Sequence, residues 1–79
     1  MGKKGNHISS SISIGQYRYD SKERRRRAIL QDCNGDCSRA ANTMKQVIAS
    51  YPDNEIERKA RSDRRYFIEL SKIRNGHRR

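Results

Sequence analysis

Tryptophan is missing from this 79-residue chain, phenylalanine occurs once, and only 32% of the residues are hydrophobic. A chain of this size buries about 60% of the surface its unfolded form exposes, so a core this poor predicts one small domain of marginal stability. No stretch approaches the ~18 consecutive apolar residues of a membrane span. An apolar signal-peptide core is also lacking, which predicts an intracellular protein kept in a reducing compartment. The opening Met1-Gly2-Lys3-Lys4-Gly5-Asn6 falls short of a myristoylation signal, because Asn6 stands where Ser or Thr is wanted. These residues read as a basic tail instead.

Metal and catalytic chemistry lack their parts too. Zinc needs about four ligands together, yet Cys33 and Cys37 are joined only by His7 and His77, in opposite tails. A disulfide between the two cysteines is sterically conceivable, but the compartment argues against it; small buried thiols at a helix junction are expected. No Ser/His/acid or Cys/His grouping and no Gly-rich phosphate loop is present. The sequence predicts no enzyme, no cofactor, and neither a catalytic nor a metal site.

Positive charge is what the chain has in quantity. Nineteen Lys and Arg stand against nine Asp and Glu, a formal charge of +10, and the isoelectric point is about 10.3. Such an excess points to a polyanionic partner: nucleic acid first, an anionic membrane surface second, an acidic protein third. Low hydrophobicity with high net charge is also the signature of disorder. Against that reading stands the helical phasing of the few apolar residues.

The charge is densest at Arg24-Arg25-Arg26-Arg27, preceded by Lys22. At about 100° per residue these side chains fan around most of a helix, which costs self-repulsion that an anionic surface would relieve. Their guanidiniums offer paired donors to phosphate oxygens. The run also fits a localisation signal loosely. Alternatively, Arg25 and Arg26 lie one turn before Ile29 and Leu30, and their stems can cover the core edge. A second basic set follows at Arg58, Lys59, Arg61, Arg64, Arg65, Lys72 and Arg74. Glu57 with Arg61 and Glu55 with Lys59 are spaced for ion pairs along a helix. Arg64 and Arg65 have no acid four residues ahead and are the better phosphate contacts. Tyr66 is expected to be partly exposed and Phe67 buried.

Three regions differ in composition. Residues 1–19 are rich in Gly, Lys and Ser, and apolar residues alternate through Ile12, Ile14, Tyr17 and Tyr19 with a slip at Gly15. A lone strand has no pairing partner, so an extended or flexible arm bent at Gly15 is expected. Residues 20–75 read as helical, and 76–79 as a basic tail. Asp20 or Ser21 can cap a helix to about Cys33, with Asp20 and Glu23 spaced as a capping box. Asn34-Gly35 breaks it. Asp36 or Ser38 restarts a helix whose apolar face holds Ala40, Ala41, Met44, Val47, Ile48 and Tyr51. Tyr51-Pro52 breaks again, and Asp53 or Asn54 caps a third helix with Ile56, Ala60, Phe67, Leu70 and Ile73. Asp63 interrupts that apolar phase, which predicts a kink or two shorter helices near 61–63. The fold class expected is all-α: three helices, or four, with a basic N-terminal arm and a core of Met44, Val47, Ile48, Phe67 and Leu70.

Two resemblances add to this reading. Asn34-Gly35-Asp36-Cys37-Ser38-Arg39-Ala40-Ala41 resembles the turn and first helix of Fis-type helix-turn-helix domains, although the next break, at Pro52, comes later than that motif places its turn. The ordered set Ile14-Gly15-Gln16-Tyr17-Arg18-Tyr19, Glu23-Arg24-Arg25-Arg26-Arg27-Ala28-Ile29, Arg39-Ala40-Ala41-Asn42 and Asp63-Arg64-Arg65-Tyr66-Phe67 resembles short basic proteins of nucleocytoplasmic large DNA viruses. This second resemblance implies a viral, virion-associated protein, located in the virion, the host nucleus or a viral factory.

The expected function is nucleic-acid binding through phosphates, DNA rather than RNA, in genome condensation or viral DNA transactions. The candidate residues are Lys22, Arg24, Arg25, Arg26, Arg27, Arg39, Arg64 and Arg65, converging into one patch. A structural component bridging acidic capsid or membrane surfaces, with a capsid or other virion protein as partner, is the alternative.

Overall fold

The computed structural model describes residues 7–52 and 54–76. Two short strands, β1 (His7–Ser9) and β2 (Ile12–Ser13), pair antiparallel, with His7 opposite Ser13 and Ser9 opposite Ile12. Four helices follow: α1 (Ile14–Tyr19), α2 (Lys22–Asp32), α3 (Cys37–Ser50) and α4 (Glu55–Gly76). The all-α expectation holds, with three substantial helices, one short helix and a small hairpin.

The extended arm does not hold for residues 7–19. Ser13 and Gln16 form a reciprocal capping box that starts α1, so the segment read as alternating becomes helical. On a helix Tyr17 and Tyr19 lie about 200° apart, and Tyr17 is fully buried while Tyr19 is 83% exposed. Gly15 makes no bend; it sits within α1, and an added Cβ would meet nothing closer than Ser13 Oγ at 4.0 Å. The hairpin buries Ile8 and Ile12, and the Asp32 carboxylate at the end of α2 clamps its turn. That carboxylate accepts from Ser9 Oγ (2.5 Å), from Ser11 N (2.9 Å) and from Ser11 Oγ (2.8 Å). Partial burial works against the Asp32 charge, but the serine hydrogen bonds outweigh it and hold its pKa below the usual carboxylate value. Residues 1–6, Asp53 and the tail from 77 onward lie outside the described residues, and so do the expectations made for them.

Each helix boundary has a local cause. Asp20 serves as the C-cap of α1, so Ser21 caps α2 by accepting from Arg24 N at 3.3 Å, and the Asp20–Glu23 box is not used. Asn34 (φ 56°) and Gly35 (φ 78°) take the left-handed conformation that ends α2. Gly35 N closes the turn on Leu30 O at 2.8 Å. Asp36 caps α3 through Arg39 N, and Asn54 Oδ1 accepts from Ile56 N at the start of α4.

The core joins Ile8 and Ile12 of the hairpin, Tyr17, Ile29, Cys33, Ala40, Met44, Val47, Ile56, Ala60 and Phe67. Met44, Val47 and Phe67 are buried as expected, whereas Ile48 is only half-buried against this core and Leu70, also half-buried, is not part of it. Cys33 and Cys37 are free buried thiols at the α2–α3 junction. The expected break in the last helix is absent: α4 runs unbroken for 22 residues, roughly 33 Å at 1.5 Å per residue. Asp63 does not interrupt it because its side chain has partners in the core.

Candidate functional site

Asp63 is completely buried, and a buried carboxylate is tolerated only when paired and hydrogen-bonded. It accepts four hydrogen bonds. Arg25 gives two, from Nε to Oδ2 (2.6 Å) and from Nη2 to Oδ1 (2.9 Å). Arg26 Nε donates to Oδ1 at 2.7 Å, and Tyr17 Oη donates to Oδ2 at 2.6 Å. These four donors use the acceptor capacity of an ionised carboxylate. Arg26 reaches on to Ser62, donating from Nη2 to the hydroxyl at 3.0 Å. Both guanidiniums also lie over aromatic rings, Arg25 at 5.2 Å from the Tyr17 centroid and Arg26 at 4.4 Å from that of Tyr66. Together these groups tie α1 and α2 to the middle of α4.

Titration follows from this geometry. Burial, and then the adjacent Asp63 charge, push the Tyr17 hydroxyl well above its ordinary value of 10.0, so it stays a donor. Burial disfavours charge on Arg25, but hydrogen bonding and attraction to Asp63 outweigh it and raise its pKa.

The expected single patch is therefore not formed. Arg25 is 5% exposed, and Arg26 has its charged fork on Asp63 and Ser62. Neither is placed as a free phosphate contact, since Asp63 supplies the anion that the sequence reading sought outside the chain. Lys22, Arg24 and Arg27 remain exposed on α2. Arg27 lines a cleft with Glu23, Arg26, Leu30 and Tyr66.

Arg39 and Arg64 meet elsewhere, in an open groove of about 600 Å³ between α3 and α4 that Lys45 and Lys72 also line. Ala41 and Ile68 line it with them, as do Ser38, Asn42 and Ser71. The acid at its end, Asp36, has Oδ1 engaged by Arg39 N at 3.1 Å. Arg65 is exposed and shares a neighbouring hollow with Ile48, Arg61, Arg64 and Ile68. Lys45 was missed by the sequence reading. The stripe Ser38, Asn42, Lys45, spaced by four and three along a helix, is the signal that would have found it.

Ion pairs remove other cations from the inventory. Arg61 pairs with Glu57 at 2.7 Å, as its spacing predicts. Glu55 pairs with Arg18 of α1 at 2.9 Å instead of showing the expected contact to Lys59. Arg74 Nη1 donates to Gly35 O at 3.0 Å and so fastens α4 to the α2–α3 turn. Among the described residues no group of three His, Cys, Asp or Glu could hold a metal ion, and no helix is long and apolar enough to cross a membrane. No protein-family model, curated protein or solved structure matches this chain.

Proposed function

We propose that this chain binds nucleic acid through its phosphates, DNA in preference to RNA, with the α3–α4 groove as the main surface. One observation carries the reading. Arg39, Lys45, Arg64 and Lys72 line a single open groove whose acid, Asp36, is already committed as a helix cap. Polar side chains between them, Ser38, Asn42 and Ser71, can donate to phosphate oxygens. The resemblance to short basic proteins of large DNA viruses suggests genome condensation or viral DNA transactions as the use.

The test is affinity for specific and scrambled duplexes measured across salt. Four phosphate contacts give a slope of about −3.6 in log affinity against log salt, or about 150-fold lost per fourfold rise. Arg39→Glu with Arg64→Glu and Lys72→Glu should lower affinity at least about tenfold and flatten that slope. Unchanged affinity and slope in this variant would remove the groove from consideration. A preference for one duplex that survives high salt favours sequence-specific regulation over packaging.

A structural virion component bridging acidic capsid or membrane surfaces is the second reading. It is favoured by large side chains left in solvent, above all Tyr19 at 83% and Ile73 at 58% exposure. Co-sedimentation with capsid protein that persists in the groove variant would support it.

A further inference from the structure

We infer that the α3–α4 groove seats a single nucleic-acid strand, so that unpaired stretches are bound in preference to duplex. This inference rests on the nucleic-acid reading and narrows it to one class of ligand. It starts from the layering of the groove's lining. The floor is small or aliphatic: Cys37 is buried, and Ala41, Ile68 and Ser71 are half-buried. The rim is polar and cationic, with Arg39, Asn42, Lys45 and Lys72 exposed, and half-buried Arg64 adds a fourth cation. Consecutive helices packed on each other across a short connection run antiparallel, as α3 and α4 do. Lys45 and Arg64 therefore lie toward the connection, and Arg39 and Lys72 toward the far end. Arg64 and Lys72 stand about 12 Å apart along α4 at 1.5 Å per residue.

An occupant with anionic groups at both ends and apolar surface between them fits this order. A nucleotide strand has that alternation: its phosphates meet the cations while sugars and bases cover Ala41 and Ile68. Inorganic polyphosphate has the charge without the apolar surface. Width then decides between one strand and two. Packed helices lie about 8–10 Å axis to axis, so the trough between them is narrow. The major groove of a duplex is by itself about 12 Å across. A duplex therefore rests on the rim and leaves the floor uncovered, whereas an unpaired strand descends to it. Among the described residues no aromatic ring lines the groove. The strand is thus held by charge and by covering the floor, without the stacking platform common in such sites.

The experiment uses the full chain, fluorescent oligothymidylate and a fluorescent duplex of equal length, with anisotropy read across salt. The single strand should bind roughly tenfold tighter, the worth of covering the aliphatic floor. At four phosphate contacts its salt slope should be about −2.8, against about −3.6 for the duplex. The preference then widens about threefold for each fourfold rise in salt. Ala41→Leu with Ser71→Leu fills the floor and leaves all four cations in place. This variant should lose the preference while its duplex affinity stays unchanged. Should it lose helical circular dichroism, Ser71→Leu alone replaces it, with a smaller loss of preference expected. Duplex binding as tight as single-strand binding, or tighter, overturns the strand inference and leaves the nucleic-acid reading standing. A preference that survives in the filled groove also overturns it, because the strand would then lie elsewhere. Poly-glutamate that displaces the strand at equal charge concentration overturns it in favour of an acidic protein partner. Failure of wild-type protein to bind either nucleic acid overturns the nucleic-acid reading and the strand inference together.

Discussion

The two seams of α4 use the same side chain to opposite ends. At the α2 seam, arginine turns inward onto one carboxylate and becomes part of the core. At the α3 seam, arginine and lysine line an open groove whose acid, Asp36, caps α3. The difference lies in what α4 presents to each seam. Asp63 falls on its buried face, in phase with Ala60 and Phe67, whereas Arg64 is turned about 100° further round. One residue step therefore separates an anchor from a candidate ligand contact. A run of like charges cannot be read as a surface until its neighbours across the fold are known.

The sharpest way to break this comparison is to empty the anchor. Asp63→Ala leaves Arg25 buried without a counter-charge, and stability should fall by about 3–5 kcal/mol in urea titration. A loss near zero would mean that the two seams do not differ in kind. Tyr17→Phe removes one donor to a charged acceptor and should cost about 2 kcal/mol. It also tests the pH dependence. The Tyr17 pKa is raised in the folded protein, so its contribution is complete below about pH 10 and lost above it, by up to about 1.4 kcal/mol per pH unit. Wild-type protein should lose stability on going from pH 10 to 11, and the Phe variant should lose less. An equal loss in both would place the alkaline sensitivity elsewhere.

Asp32→Asn should loosen the hairpin with a smaller effect, about 1 kcal/mol, because that carboxylate is only partly shielded from water. Its folded pKa lies below the ordinary value, so its contribution is present above about pH 4 and disappears as the pH falls through the folded value. Faster amide exchange at Ser11 and Ile12 in this variant, with the α4 amides unchanged, would locate the effect. The smallest change is expected from Arg24→Ala with Arg27→Ala, within about 0.5 kcal/mol by thermal melting. A large destabilisation there would erase the contrast between inward and outward arginines.

Much of the helical frame was legible because its causes are local. Ser21, Asp36 and Asn54 cap helices by residue type, and the Asn34-Gly35 turn follows from tolerance of positive φ. The N-terminal region is ambiguous in sequence although its capping box, Ser13 with Gln16, stands there. Apolar alternation through Tyr19 outweighed it, and only the buried position of Tyr17 settles the period. The hairpin was out of reach for another reason. Its turn is held by Asp32, more than twenty residues away, and no local pattern announces such a partner. Asp63 stands out in the sequence only as an interruption, because its partners lie 37 to 46 residues distant. An acid at a buried helical phase is the clue that a buried base must be found for it. For the groove, residue type singles out Arg39 and Arg64, but only the packing of α3 on α4 brings them to one groove with Lys45.

Four identical side chains in a row leave a helix free to slide by one position without any change in composition. The saturated carboxylate at position 63 removes that freedom, since Arg25 alone offers it a two-pronged fork with a tyrosine ring beside it. The repetitive tract thereby acquires distinct addresses. Lysine is an adequate substitute where only charge matters, at Arg24 and Arg27, and a poor one at Arg25, where a single ammonium cannot span both oxygens.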